Sequence, residues 1–296
     1  MTISSIRNVH TTETASTWDE LQRIRQEYGL TTDHWLYRGH SYAAWPVAST
    51  FERARESGST SDAWRYEATV VREFKRRAYL YLKELPVEHD ILEWLSLLRH
   101  FGAPCRLVDV TYSFHVATYF AVRPLSVQSD PAAVWAFNTD WLIKDWNRLF
   151  PSETVEKQRA GDFRFKEPDD FRTHFLDFRK PKSFVAPVNP FRQNERLTAQ
   201  QGLFLCPGDI SKSFMANMSA MSKTAAKDQV VRIPVAATIK PVAIQELRRM
   251  NITSATLFPG LGEFAESLGD WLALNLPFNE KDLLKALCLQ VDKSLC

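Results

Sequence analysis

The sequence predicts an α+β fold, and three observations carry that expectation. First, LRHFGAPCRLVDVTYSFHVATYFAV, residues 98–122, compresses a helix end, a turn, a short strand, a second turn and a new helix into one stretch. Second, short apolar strand candidates recur between amphipathic helical patterns along the chain. Third, no internal repeat, low-complexity tract or composition break divides the sequence, so one domain is the default.

In order, residues 1–16 read as a polar arm. Thr17 and Glu20 form a capping-box pair, and Leu21, Ile24 and Tyr28 give a short helix that Gly29 ends. His34 to Arg38 reads as a strand rich in large aromatics, with Gly39 marking a turn or a close backbone approach and extended chain following through Trp45-Pro46. Residues 62–85 form a strong helix with Val70, Val71, Phe74, Ala78 and Leu82 inward. Its basic run, Arg72, Lys75, Arg76 and Arg77, reads first as a solvated face and second as a phosphate-binding surface. Asp90 to Leu98 is the next helix. Gly102 takes its left-handed end position, and Pro104 forbids continuation.

Arg106 to Thr111 then reads as a strand, and Phe114, Ala117, Phe120 and Ala121 as a helix capped by Thr111 or Ser113. Ala132 to Phe137 is a central strand. Residues 139–180 predict short helices and loops, and Ser183 to Val188 a further strand. Asn194 caps a brief helix through Arg196, Leu197 and Gln200, Gly202 ends it, and Leu203 starts a strand. Residues 209–227 read as a loop or weak helix, Val230 to Val235 as a strand, and Pro241 begins a helix through Ile244, Leu247 and Met250. A Pro-Gly turn precedes a helix packing Phe264 and Leu268, and Leu283, Leu284 and Leu287 suggest a last one.

With 296 residues, 45% hydrophobic and 24% charged, the chain is long enough for a substantial core. A net charge of +2 is too small to argue for nucleic acid or a membrane from totals. Cys105, Cys206, Cys288 and Cys296 are scattered, which suggests neither zinc nor a disulfide framework. The N-terminus has no apolar signal segment, and no apolar run approaches a bilayer span; a cytoplasmic protein without a membrane partner is expected.

Familiar catalytic motifs are missing: no Gly-rich phosphate loop, no His-Glu-x-x-His, no Gly-x-Ser-x-Gly, and no metal-ligand spacing among the histidines. His100 reads as a helix-end group rather than a ligand. Cys105 beside Arg106 is either a lowered-pKa thiol or, the duller reading, a small buried hydrophobe. What remains is polar chemistry on and beside strands that should be buried: Arg106, Asp109, Thr111 and Ser113, with Tyr37-Arg38-Gly39 upstream and Gln200 downstream.

These residues resemble the FRG-domain family, named for an aromatic-Arg-Gly tripeptide. The resemblance rests on Tyr37-Arg38-Gly39 with Trp45-Pro46, and on Leu98-x-His100-Phe101-Gly102-x-Pro104-x-Arg106-Leu107-x-Asp109-x-Thr111 with Ala117-x-x-Phe120-Ala121. Arg196-x-x-Ala199-Gln200-x-Gly202-x-Phe204 and Leu257-Phe258-Pro259-Gly260-Leu261 extend it. Val110, where an aromatic is usual, and Phe114, where Pro is common, depart from the pattern. The implied organisation is an arm and helix at 1–29, an FRG-type domain at 30–275, and a C-terminal helix at 276–296 packed on the same domain.

The layout is similar to the Arg-Ser-Glu type of ADP-ribosyltransferase, which implies a split β-sheet core with several flanking helices and NAD as substrate, without a metal. By that resemblance the catalytic set is Arg38, Thr111 and Gln200. The nucleotide is held by Tyr37, Arg38, Gly39, Arg106, Asp109, Thr111 and Ser113. Arg38 would grip the pyrophosphate or ribose through charge-assisted hydrogen bonds, Thr111 and Ser113 the nicotinamide ribose, and Gln200 the ribose hydroxyl or the acceptor. Gln200 stands where such enzymes carry Glu, and Asp109 or Glu195 would have to supply the missing charge. The implied role is a toxin-like effector in bacterial antiphage defence, acting on nucleic acid or protein, with any neutralising partner unspecified. The rival readings are a non-catalytic nucleotide- or nucleic-acid-binding module using Arg38, Arg106 and the basic helix, and a purely structural network built on an Arg38–Asp109 ion pair.

Overall fold

A computed structural model of the chain describes residues 9–56, 62–123, 130–151, 168–176, 179–221, 228–262, 264, 265 and 268. Seven strands form one mixed, open sheet: β1 (Val9–Thr11), β2 (Trp35–His40), β3 (Val108–Thr111), β4 (Ala132–Asn138), β5 (Val185–Val188), β6 (Gly202–Pro207) and β7 (Val230–Val235). Their order across the sheet is β1-β7-β4-β2-β3-β6-β5. β1 and β7 are parallel, and the other neighbours are antiparallel. The helices are α1 (Trp18–Glu27), α2 (Thr50–Glu56), α3 (Ala63–Ala78), α4 (Ile91–His100), α5 (Phe114–Val122), α6 (Thr139–Leu149), α7 (Pro168–Phe175), α8 (Glu195–Ala199), α9 (Phe214–Ser219), α10 (Lys240–Arg249) and α11 (Ser254–Leu257).

Strand side chains alternate between two buried layers. Trp35, Tyr37, Val134, Ala136, Val231 and Ile233 pack against α1, α5 and α10, through Leu21, Ile24, Ala117, Ala121 and Leu247. Leu36, Val108, Val110, Trp135 and Phe137 pack on the other face with Leu95, Trp146, Phe175 and Phe214, from α4, α6, α7 and α9. A sheet covered on both faces explains why β4 reads as an unbroken apolar run rather than an alternating one.

At Gly39 a helix approaches the sheet backbone closely. A Cβ there would lie 2.0 Å from the Ala117 carbonyl oxygen and 2.5 Å from the Ala121 nitrogen, so α5 rests directly on the β2 backbone. The small residues of α5 and the glycine of β2 are two halves of one contact.

Several expectations shift. β2 does not stop at Arg38: it runs to His40, because Arg38, Gly39 and His40 stay paired with Trp135, Val134 and Ala133 of β4. β3 begins at Val108, leaving Arg106 before it. α3 stops at Ala78, where the chain turns through Leu80 and Tyr81 onto the Arg77 and Ala78 carbonyls. The first described residues are no free arm, since β1 adds to the sheet edge and Ala15 bridges Val235. The weak-helix alternative for residues 209–227 is met by the six-residue α9, capped by Ser213, while 222–227 lie outside the described residues. Phe264 and Leu268, expected to pack, are 48% and 43% exposed. The expected helix in 276–296 lies outside the described residues. Other expectations hold in detail: the Thr17–Glu20 capping box forms, Asn194 caps α8, and Gly102 sits at φ +81°. Among the described residues no helix is long and apolar enough to cross a membrane.

Candidate functional site

β2 and β3 are neighbours that touch at a single register pair, Tyr37 with Thr111, although β2 pairs with β4 along its whole length. Beyond Tyr37 the two strands part. The main-chain carbonyl of Asp109 is satisfied there by a side chain, accepting from Arg38 Nη1 at 2.6 Å. The parting opens into a cleft of about 630 Å³, within the range of small-molecule sites. Its walls come from β2, the loop at Ser41–Ala48, α2, the end of α4, β3, α5 and the end of α8.

Arg38 lies at the centre. Its Nε–H donates to Nε2 of His40 at 3.0 Å, and the Nδ1–H of His40 donates in turn to the Trp45 carbonyl at 3.3 Å. Burial, with help from the Arg38 charge, pushes His40 down to about 3, so the ring is a neutral acceptor at physiological pH. With Nε and Nη1 engaged, Arg38 Nη2 has no hydrogen-bond partner among the described residues. The side chain is 16% exposed, enough to be reached from the cleft.

Asp109 is shared. Its Oδ2 accepts from Arg99 Nε at 2.9 Å and more closely from Arg99 Nη2, while Arg38 Nη1 stands 3.7 Å away. The carboxylate is 42% exposed, and the two arginines hold its pKa below the usual range against the opposing effect of burial. Burial also pulls the Arg38 guanidinium down to about 10; Arg99 and Arg53 add to this, and Asp109 opposes it. The group stays cationic at neutral pH. Arg38, Arg53, Arg99 and Arg196 line the cleft against Glu52 and Asp109, giving an excess of positive charge that a bound anion would relieve.

The structure brings Tyr37, Arg38, Gly39, Asp109, Thr111 and Gln200 to this cleft. Tyr37 contributes ring and backbone, because its hydroxyl donates to the Leu30 carbonyl at 3.0 Å. Thr111 ties segments together: Oγ1 donates to the Gln200 carbonyl at 2.7 Å and accepts from the Ser113 N–H at 3.0 Å. Gln200 Nε2 donates to the Leu257 carbonyl at 3.0 Å, and its Oε1 has no partner among the described residues.

Two expected residues lie elsewhere. Arg106 is fully buried, paired through Nε with Glu67 Oε1 at 2.6 Å and through Nη2 with Oε2. Its Nη1 donates to the Phe175 carbonyl at 2.7 Å, and Trp64 lies against the guanidinium. It ties α3 and α7 to the sheet and has no face for a nucleotide. Ser113 does not line the cleft; its hydroxyl caps α5 by accepting from the Val116 N–H at 3.3 Å. Glu195, an alternative source of charge, is exposed and also outside the lining. The Cys105 thiol is buried and pushed up to about 12, which makes it the inert hydrophobe of the duller reading.

Sequence reasoning missed His40, Arg53, Arg99 and Arg196. His40 and Arg99 adjoin motif residues and Arg196 is itself one of them, which is a signal of a kind; Arg53 reaches the cleft only through the tertiary fold.

No curated protein and no solved structure matches the chain. The family model described as the FRG domain matches residues 33–129, which carry β2, α2 to α4, β3 and α5. Arg38, Arg53, Arg99, Asp109 and Thr111 fall inside that span, whereas Arg196 and Gln200 come from beyond it. The chain therefore carries an FRG domain, and that domain supplies most of the cleft.

Proposed function

We propose that the cleft binds NAD and that the chain transfers ADP-ribose from it. The observation that carries this reading is the meeting of Arg38, Thr111 and Gln200, from three distant segments, on one cationic cleft with Arg38 Nη2 unpartnered among the described residues. Arg38, braced by His40 and the Asp109 carbonyl, would present Nη2 to the pyrophosphate, with Arg53 and Arg99 adding positive potential. Gln200 Oε1 would accept from a ribose hydroxyl, and Thr111 would hold Gln200 in place. In the transfer, the bond between C1′ of the ribose and the nicotinamide nitrogen breaks. Nicotinamide leaves with the electron pair, an acceptor lone pair forms the new C1′ bond, and the acceptor proton passes to solvent. Positioning and electrostatics supply the rate. Under the family resemblance, this activity would serve a toxin-like effector in antiphage defence, acting on nucleic acid or protein.

A second reading, a nucleotide-binding module without turnover, is favoured by one observation. Gln200 is uncharged, and the exposed carboxylate of the cleft, Asp109, is already engaged by Arg99. Labelled NAD incubated with the protein and cell lysate separates the two. Nicotinamide release and label transfer that vanish in folded Arg38→Ala and Gln200→Ala variants support the transferase. Calorimetric NAD binding that Arg38→Ala abolishes, without turnover in the native chain, supports the module. Absence of both sinks the nucleotide reading altogether. Growth arrest on expression, relieved by Arg38→Ala, tests the effector role.

A further inference from the structure

Away from the cleft, the end of α3 carries a surface that neither the cleft nor the core uses. Arg72, Arg76 and Arg77 are each more than 60% exposed and all turn to the one carboxylate of Glu73, at 3.2, 3.0 and 2.9 Å. One anion shared by three guanidiniums leaves most of their charge uncompensated. Residues 72–84 hold five Lys and Arg against Glu73 and Glu84, an excess larger than the +2 of the whole chain.

Where the helix gives way to a turn, Tyr79 is 64% and Tyr81 82% exposed, with Leu80 between them equally open. Tyr79 follows Arg72 and Arg76 at helical spacing and so shares their face. Planar rings this exposed, set among arginines, match the chemistry of unpaired bases on a phosphate chain: rings stack on bases and guanidiniums meet phosphates. A duplex hides its base faces, and an acidic peptide offers the rings nothing comparable.

We infer that the Arg72–Tyr81 surface binds single-stranded nucleic acid, independently of what the cleft holds. The test is fluorescence anisotropy of the full chain with a labelled oligothymidine of about 12 nucleotides and with a matched duplex, over a salt series. Three neutralised phosphates predict a slope of log affinity on log salt of about −2, which Arg76→Gln with Arg77→Gln should flatten. Tyr79→Ala with Tyr81→Ala should weaken binding about tenfold or more, while Tyr79→Phe with Tyr81→Phe retains it. Glu73→Gln, which frees the arginines, should tighten it. Duplex binding as tight as single-strand binding, no binding at low salt, or indifference to the Tyr→Ala pair in a folded chain overturns the inference. Arg76→Gln with Arg77→Gln, which lie outside the cleft lining, should leave calorimetric NAD binding unchanged, so this surface and the NAD reading of the cleft stand or fall separately.

Discussion

Arg38 donates its Nε–H to Nε2 of His40 across 3.0 Å, two residues along the same strand. Side chains at that spacing share a face of the sheet, so the Arg-Gly-His run of β2 places a guanidinium and its brace together while Gly39 faces α5. The brace works only while the imidazole is neutral, and burial keeps it so.

That neutrality has a consequence for stability. The folded-state pKa of His40, about 3, lies below the unfolded value near 6.5. The unfolded chain therefore takes up a proton first as pH falls, and stability drops between about 6.5 and 3. The slope approaches ~1.4 kcal/mol per pH unit for this one group. Urea denaturation at pH values from about 7 to about 4.5 should show a shallower decline in His40→Asn than in the native chain. In the same variant NAD affinity should fall several-fold at neutral pH, because Arg38 loses its orienting acceptor.

Arg106 and Glu67 bear on the core rather than the cleft. Removing one member of a buried pair strands the other, so Arg106→Ala should cost about 3–5 kcal/mol in chemical denaturation. Replacing both, as Arg106→Met with Glu67→Leu, should recover most of that loss, since the desolvation of both charges is avoided. Nucleotide binding by the recovered double variant should match the native chain. A specific loss of binding would return Arg106 to the site.

Gly39→Ala tests the seat of α5. The added methyl meets backbone atoms of Ala117 and Ala121, which cannot rotate away, so relief requires moving the helix. Overpacking typically costs about 1–3 kcal/mol, and a backbone clash belongs at or above the upper end. A lowered denaturation midpoint together with weakened NAD binding is the expected result, because α5 forms a wall of the cleft.

Much of the scaffold was legible from local chemistry. Thr17 with Glu20, Asn194 and Gly102 act through residues within a few positions of themselves, and such signals survive folding intact. Arg106 was misread because its partner, Glu67, lies on a helix 39 positions away and nothing local distinguishes a structural guanidinium from a binding one. Arg53 escapes notice for the same reason, whereas Arg196 stands in the Gln200 motif with no role assigned to it. Ser113, one of two caps that the sequence offers for α5 beside Thr111, does cap it, and only its second role as a ribose contact fails.

Gln200 is the position at which the proposed chemistry is most exposed to test. Its Nε2 is tied to the Leu257 carbonyl, its main-chain carbonyl to Thr111, and its Oε1 is left without a partner among the described residues. A glutamate there would keep the geometry set by Thr111 but place negative charge beside the ribose carbon from which nicotinamide departs. It would also lose the donor to Leu257, at a cost of about 1 kcal/mol in stability. Charge aimed at a developing cation in a preorganised cleft is worth far more than in water. Gln200→Glu should therefore raise the rate of nicotinamide release from NAD by about tenfold or more, with NAD affinity little changed. The measurement is single-turnover release by the purified variant beside the native chain. An unchanged rate in a folded, NAD-binding variant would mean that Asp109, held by Arg99, already supplies the charge, and Asp109→Asn should then abolish release where Gln200→Glu did nothing.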